Sequence, residues 1–135
     1  NNNGKGWKIA IDQPTDKKRS FAYVLSLTDI SLATSGSYRN YYYQDSIKIS
    51  HTINPKTLEP ASNKLISATI LYSDCMTADA YATACMSFGL KDAKRFLKEN
   101  NITGSLTYIK EQDTIHYSSG DFSSFLHRSP GSAPQ

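Results

Sequence analysis

The chain has 135 residues, a formal net charge of +3 and 39% hydrophobic residues, a composition typical of one modest globular domain. This composition excludes an intrinsically disordered chain, and no stretch approaches the roughly 20 apolar residues of a membrane-spanning helix. The longest basic run, at residues 17–19, follows Asp16 in a polar segment and has no interleaved aromatic residues. We therefore expect no nucleic-acid partner.

Strand signals occupy most of the chain outside residues 73–101. Each segment is rich in β-forming residues and is bounded by turn residues, and several alternate with period two. The predicted strands span residues 7–12, 21–27, 30–34, 38–43, 47–53, 64–72, 102–109 and 114–117. Ser35-Gly36-Ser37 predicts a turn after the third of them, and the last two are expected to form a hairpin.

Two helices are predicted between the strands at 64–72 and 102–109. The first spans residues 76–88. Ser73, Asp74 and Thr77 are the candidate N-caps around its start, and Gly89 is typical of the position that ends a helix. It has so little polar surface that we expect burial on most sides. The second helix, residues 90–99, is amphipathic. The predicted fold class is α+β: a largely antiparallel sheet with an inserted helix pair in a domain of residues 1–120, followed by a flexible tail at 121–135.

The two cysteines, Cys75 and Cys85, lie near opposite ends of the first predicted helix. Cα atoms more than about 7 Å apart cannot be joined by a disulfide without backbone movement. We therefore interpret both as small buried hydrophobic residues.

Asp79 and Thr83 are the candidate metal ligands. Four residues apart on a helix, they lie on one face and offer a carboxylate and a hydroxyl oxygen, which suit Mg²⁺ or Ca²⁺ and do not suit zinc. A simpler interpretation needs no metal. With Thr77 as N-cap, Asp79 would interact favourably with the helix dipole, and Thr83 would bond to the carbonyl of Asp79.

Two further segments are candidates for binding. Thr34, Ser35 and Gly36 would place amides and hydroxyls around a phosphate, or would form an ordinary hairpin turn. His51 stands where an apolar alternation meets a proline-containing loop, and a lone histidine there is more often a hydrogen-bonded structural residue. His116 and His127 are expected to lie at the surface.

Three motifs occur in register: ATSGSYRNYY at residues 33–42, HTINPKT at 51–57 and DAYATACMSFG at 79–89. Together they resemble the carboxyl-terminal half of the ApbE-type FAD:protein FMN transferases, over most of the chain from Trp7 to about Gly120. Three residues differ from that family. Asn54 stands where members usually have aspartate, Leu58 where they usually have glycine, and Ser37 where they often have aspartate. A loop that needs glycine at residue 58 would change shape with leucine there.

The resemblance implies a T-fold-like half of an ApbE-like protein that transfers FMN from FAD to a Ser or Thr of an acceptor protein, with Mg²⁺ as cofactor and FAD as substrate. It implies metal binding by Asp79 and Thr83, flavin-phosphate binding by Thr34, Ser35, Gly36 and His51, and a catalytic role for His51. The implied acceptor is a flavin-carrying subunit of a membrane respiratory complex, and the implied location is periplasmic or membrane-anchored outside the cytoplasm.

The resemblance also indicates that residue 1 falls well inside the family pattern. We expect this chain to need the missing amino-terminal half as its partner and to be inactive alone. Two alternatives remain at this point: a member that binds FAD or hydrolyses it to FMN and AMP, and a non-catalytic domain fragment.

Overall fold

The computed structural model describes residues 6–13, 21–37, 41–44, 47–50, 58, 64–111 and 113–127, with the backbone alone at 41–44 and 47–50. Within these ranges, six strands precede a pair of α-helices, and two strands and one turn of 3-10 helix follow it. In chain order the elements are β1 (Trp7–Asp12), β2 (Phe21–Leu27), β3 (Ser31–Gly36), β4 (Tyr41–Gln44), β5 (Ile47–Ser50), β6 (Leu65–Tyr72), α1 (Cys75–Phe88), α2 (Leu90–Glu99), β7 (Thr103–Lys110), β8 (Asp113–Ser119) and a short 3-10 helix (Phe122–Phe125).

The central layer is a four-stranded antiparallel sheet in the order β3-β6-β7-β8. Two antiparallel hairpins, β1–β2 and β4–β5, form separate two-stranded sheets among the described residues. The helices α1 and α2 lie between β6 and β7 in the chain, although these two strands are hydrogen-bonded neighbours. This arrangement confirms the α+β class with a helix pair inserted late.

The helix-facing side of the central sheet is apolar. Successive side chains of a strand point to opposite sides, so every second residue of β6 and β7 faces the helices. Ala68, Ile70 and Leu106 lie on this side and are 0% exposed. They pack against buried residues of both helices: Ala78, Ala82, Cys85, Met86, Ala93 and Leu97. Apolar burial of this kind is the main source of stability for the domain.

The opposite side of the sheet, the hairpin-facing side, carries buried hydroxyls at Ser67, Thr69, Ser105 and Thr107. The β1–β2 hairpin covers part of it through a second apolar cluster that contains Leu25, Leu27, Leu71 and Phe122. The hydroxyl of Tyr23 on β2 lies 2.8 Å from Ser105 Oγ, which joins the hairpin to the polar part of this side.

The helix α1 begins one residue earlier than predicted, because Asp74 is its N-cap. The Thr77 amide donates to Asp74 Oδ1 at 2.8 Å, and this hydrogen bond holds the pKa of the Asp74 carboxyl below its ordinary value. The helix ends at Gly89, whose φ of 79° and ψ of 168° suit glycine. The same residue precedes α2, so a single glycine joins the two helices.

The expectation that α1 is buried on most sides is wrong. Only one face, that of Ala78, Ala82, Cys85 and Met86, is buried. Met76 is 82% exposed, and Cys75 is also exposed, which corrects its interpretation as a buried hydrophobic residue. Both cysteines are free, as predicted. The sequence of α1 contains so many small and apolar residues that its pattern does not show which face meets the sheet.

Two larger departures from the sequence prediction concern β3 and the carboxyl-terminal segment. The strand β3 continues through Ser35 and Gly36, where a turn was expected, and its register with β6 extends to the Gly36–Ser67 pair. The described part of the expected tail, residues 121–127, is also folded. Phe122 is 1% exposed, Leu126 bridges to Leu25, and the His127 amide donates to the Val24 carbonyl at 2.7 Å. Apolar side chains anchor this segment against the β1–β2 hairpin in spite of its polar composition.

Candidate functional site

Asp79 and Thr83 lie one turn apart on the exposed face of α1. Because the helix begins at Cys75 with Asp74 as N-cap, Asp79 is in the second turn and not near the first amides. The dipole effect declines beyond the first turn, so the proposed role of Asp79 as a helix-start carboxylate does not fit this geometry. Within the described residues, Asp79 has no structural role that would explain a carboxylate at this position.

Thr83 contacts the second predicted motif. Its Oγ1 lies 3.1 Å from Ser35 Oγ on β3, so the two hydroxyls are hydrogen bonded. This contact joins residues 48 positions apart in the sequence and takes the place of the expected bond from Thr83 to the Asp79 carbonyl. The structure therefore brings the ATSG and DAYAT segments together on the helix-facing side of the sheet.

Thr34 points the other way. Its Oγ1 is 2.9 Å from Thr69 Oγ1, on the hairpin-facing side, because neighbouring residues of a strand face opposite sides. The segment Thr34-Ser35-Gly36 is therefore not a compact phosphate-binding turn. Only Ser35 directs its side chain toward Thr83.

The backbone of β3 offers a different set of donors. The Ser37 amide donates to the Ile66 carbonyl at 2.9 Å, which makes residues 37 and 66 a hydrogen-bonded pair of the antiparallel ladder. Alternation along the ladder then directs the amides of Thr34 and Gly36 away from β6. Since β3 is an edge strand of the described sheet, these two amides point to its free edge. They have no strand partner among the described residues, so an anion can approach them beside Ser35.

The donor set of this site suits a hard cation. Asp79 supplies a carboxylate and Thr83 an alcohol oxygen, and Mg²⁺ is commonly bound by one or two carboxylates together with substrate phosphates and water. Thr83 keeps at least one lone pair, whichever hydroxyl donates in its hydrogen bond with Ser35. Among the residues that the structure describes, no group of three or more His, Cys, Asp or Glu side chains converges, so a closed protein-only metal site is not formed there.

His51 and Asn54 lie outside the described residues, so the predicted catalytic histidine stays a prediction. Leu58 is described, and its φ is 59°. The backbone at this position has the left-handed conformation that glycine adopts most easily, and the leucine side chain is 79% exposed. The loop therefore keeps, at residue 58, a conformation suited to glycine despite the leucine.

Sequence reasoning missed the surroundings of His116. Its Nδ1 lies 3.1 Å from Thr107 Oγ1 and 3.3 Å from the hydroxyl of Tyr23, 93 positions away in the sequence. The Tyr23 and His116 rings meet edge to face at 5.2 Å. Partial burial of the ring lowers the pKa of the His116 imidazole below its ordinary value, although the residue as a whole is exposed, as expected. No local pattern could have revealed this contact, because it depends on where β2 crosses the sheet.

Cys85 is not a candidate nucleophile. It is buried in the core beneath the helices, and desolvation raises the pKa of its thiol to about 12. The reactive form of cysteine is the thiolate, which such a pKa suppresses at neutral pH.

Neither described helix has the length and hydropathy needed to span a bilayer.

Comparison with known proteins identifies the family. Residues 1–106 match the model of the ApbE family. A FAD:protein FMN transferase of Vibrio cholerae is 38% identical over 129 residues, which is 95% of this chain and 38% of that protein. The FAD:protein FMN transferase of Escherichia coli K12 is 36% identical over 127 residues, covering 92% of this chain and 36% of that protein.

A solved structure agrees with the sequence comparisons. The flavin transferase ApbE from Vibrio cholerae superimposes with a TM-score of 0.78 at 32% identity, over 93% of this chain and 40% of that one. This chain thus spans 38% of the length of the Vibrio cholerae relative and 36% of the Escherichia coli one. The matched family model covers more than half of the chain, and the similar structure shares its fold. The chain belongs to the ApbE family.

Proposed function

We propose that the complete protein transfers FMN from FAD to a Ser or Thr hydroxyl of an acceptor protein in a Mg²⁺-dependent reaction that releases AMP. The observation that carries this proposal is the 3.1 Å contact between Ser35 and Thr83, which unites two family motifs beside Asp79. Support also comes from relatives named FAD:protein FMN transferase.

Asp79 and Thr83 would hold the metal. They present oxygen ligands on an exposed helix face, where a substrate phosphate can complete the coordination. A bound Mg²⁺ would supply positive charge that neutralises the diphosphate of FAD as its bridging bond breaks. Ser35 contacts Thr83 and fixes the direction of its hydroxyl.

The free-edge amides of Thr34 and Gly36 would donate hydrogen bonds to the flavin diphosphate. Backbone amides bind phosphate oxygens without adding a mobile side chain, and they are already fixed in place by the pairing of β3 with β6. We therefore keep the expected phosphate-binding role of residues 34–36, but we assign it to backbone amides at the edge of a strand and not to a turn.

The reaction exchanges the phosphoanhydride bond of FAD for a phosphoester bond to the acceptor. The acceptor hydroxyl oxygen forms a bond to the phosphorus of the FMN part, and the bond from that phosphorus to the bridging oxygen breaks. The bridging oxygen leaves with AMP, and the hydroxyl proton passes to a base. We assign the base to His51 on the strength of the HTINPKT motif. The acceptor is proposed to be a flavin-carrying subunit of a respiratory complex, and the protein is proposed to act outside the cytoplasm, in the periplasm or at a membrane anchor.

An assay of the full-length protein tests this function. Purified protein, freed of metal by chelation, is incubated with FAD and a Ser- or Thr-containing acceptor, and Mg²⁺ is then restored. We expect covalent FMN on the acceptor, detected by mass spectrometry, with one AMP released for each FMN attached. Release of FMN and AMP with an unmodified acceptor would show a FAD hydrolase instead. Absence of both products would favour a non-catalytic domain.

A further inference from the structure

An open groove of about 500 Å³ lies on the side of α2 that faces β8. Its lining consists of three cationic side chains, one anionic side chain and one aromatic ring: Lys94, Arg95, Lys98, Glu99 and Tyr117. None of these residues belongs to the site formed by Asp79, Thr83 and Ser35. The groove is thus a separate surface with an excess of positive charge.

Lys94 is the most constrained cation of the groove. Its Nζ donates to the hydroxyl of Tyr108 at 3.3 Å, and it lies 4.4 Å from the Tyr108 ring centroid and 4.8 Å from that of Tyr117. Two rings therefore hold the ammonium by cation–π attraction. No carboxylate of the described residues forms an ion pair with it. The ammonium has three N–H donors, of which the Tyr108 hydroxyl accepts one.

The other two cations of the groove, Arg95 and Lys98, each already have a favourable interaction within α2. Arg95 pairs with Asp92 at 3.1 Å on the exposed surface, and such pairs interact weakly in water. The guanidinium has five N–H donors, so it can bond to a second acceptor. Lys98 lies in the last turn of α2, where a positive charge also interacts favourably with the helix dipole. Lys94 is therefore the cation held most firmly in place, and it has no carboxylate partner among the described residues.

We propose that this groove binds an acidic peptide segment, with one carboxylate on Lys94 and neighbouring carboxylates on Arg95 and Lys98. Charge complementarity carries the proposal, because the lining holds three cations against the single carboxylate of Glu99. Tyr117 forms a flat wall against which a peptide can lie, and tyrosine is enriched in such interfaces. The proposal does not depend on the transfer reaction.

A protein segment fits this groove better than a lipid surface does. A helix that binds membranes inserts apolar side chains into the bilayer. Of the apolar residues of α2, Ala93 and Leu97 are instead 0% exposed in the core, and Leu90 and Phe96 are partly buried against it. The groove is also concave, which suits an inserted side chain better than a flat membrane.

Fluorescence anisotropy with the full-length protein tests the proposal. The probes are a labelled peptide of alternating Glu and Gly residues and its Gln-Gly counterpart at moderate salt. We expect the Glu peptide to bind at least about tenfold more tightly than the Gln peptide. Lys94→Met, which keeps most of the length of the side chain and removes its charge, should weaken Glu-peptide binding by about tenfold, since it removes a hydrogen bond to a charged group. Lys98→Glu should weaken it as well.

Lys91→Glu is the matched control. Lys91 is exposed on the same helix but does not line the groove, and a carboxylate near the start of α2 is favourable for the helix. It changes the net charge as Lys98→Glu does, and we expect less than a twofold effect on binding. If Lys91→Glu lost as much affinity as Lys98→Glu, the binding would be explained by general charge attraction and the proposal would be overturned. So would equal affinity for both peptides, or binding to phosphatidylglycerol vesicles without binding to the Glu peptide. Thermal melts confirm that each variant is folded.

Discussion

The two sides of the central sheet are built from the same strands but contribute differently to the stability and geometry of the domain. On the helix-facing side, Ile70 and Leu106 are completely buried among helix residues. On the hairpin-facing side, Thr69 and Ser105 are equally buried, but their hydroxyls bond to Thr34 and Tyr23. Burial of an apolar side chain contributes more stability than a side-chain hydrogen bond does, because the hydrogen bond only replaces one that the unfolded chain makes with water. The helix-facing side therefore supplies most of the folding energy, and the hairpin-facing side is a polar layer whose bonds fix its geometry.

This difference explains how a short motif is divided. Thr34 and Ser35 are neighbours in sequence, yet one joins the polar layer and the other meets α1. The side chains of a motif that extends along a strand do not all line the same site, because they face opposite sides of the sheet in turn. Four predictions test this division, in order of decreasing effect, and a fifth concerns a residue outside both sides.

The largest effect is expected at Asp79. In the complete protein, Asp79→Ala should lower Mg²⁺-dependent FMN transfer by about a thousandfold or more, because a metal ligand that stabilises the transition state is lost. The exposed side chain is outside the core, so the melting temperature should change little. Transfer rates at low millimolar Mg²⁺ and a thermal melt measure both, with Asp92→Ala on α2 as a carboxylate control. Normal transfer by the Asp79 variant would remove it from the metal site.

Neighbouring residues of β6 test the two sides directly. Ile70→Ala should reduce the free energy of unfolding by about 2–5 kcal/mol, since it leaves a cavity beneath the helices. Thr69→Val removes one hydroxyl from the polar layer and should cost about 1 kcal/mol, because the partially exposed partner Thr34 can bond to water instead. Urea denaturation of both variants gives the comparison. If Thr69→Val cost as much as Ile70→Ala, the polar layer would contribute more to stability than we infer.

Ser35 and Thr34 test the division of the motif. Ser35→Ala removes the hydroxyl that contacts Thr83 and should lower kcat/KM for transfer by about tenfold, the equivalent of one lost hydrogen bond. Thr34→Ala keeps the backbone amide and alters only the polar layer, so we expect less than a twofold change. A similar loss for both variants would indicate that the hairpin-facing side also contributes to the reaction.

His116, on the hairpin-facing side, should make the free energy of unfolding depend on pH. Burial lowers its pKa in the folded state below the ordinary value of 6.5, so the unfolded chain binds the proton first as the pH falls. The stability that the neutral imidazole contributes is therefore complete above pH 6.5 and is lost as the pH decreases from 6.5 toward the folded-state value. Urea denaturation from pH 7.5 to 5 should show this decline, and His116→Gln should remove it. A decline of the same size in the variant would exclude His116 as the source.

The smallest effect is expected at Leu58, which belongs to neither side of the sheet. Its positive φ costs about 1–2 kcal/mol for a residue with a Cβ, and glycine at this position loses about 0.5–1 kcal/mol through backbone entropy. Leu58→Gly should therefore raise stability by about 0.5–1 kcal/mol in a thermal melt. Adding Asn54→Asp should strengthen FAD or metal binding, measured by titration. A lower melting temperature with unchanged affinity would show that the loop has no part in the flavin site.

The sequence predicted most of the secondary structure because local patterns determine it. The strand β2 and the helix α2 have the bounds that their residues indicate, and Gly89 ends α1 as expected. Contacts between distant segments were not predictable. The Ser35–Thr83 and Tyr23–His116 contacts depend on how β3 meets α1 and how β2 crosses the sheet, and no local pattern carries that information.

The errors have the same origin. Composition suggested burial for Met76 and a loose tail beyond Gly120, whereas the position of the sheet leaves Met76 exposed and gives Phe122 a buried site. For the candidate site, the sequence identified Asp79 and Thr83 as a pair on one helix face. It did not identify the strand edge at Thr34 and Gly36, because that edge follows from the register of β3 with β6.

The connection from β6 to β7 has a consequence for the order of folding. These strands are antiparallel neighbours, yet residues 73–102 and both helices separate them, where a hairpin would need only a few residues. Closing so long a segment costs chain entropy before any ladder bond forms. If α1 and α2 first pack around their single-glycine junction, the ends of β6 and β7 come close together and that cost decreases. We therefore expect helix pairing to precede the joining of the two central strands, so a disturbance at Gly89 should slow folding as well as lower stability.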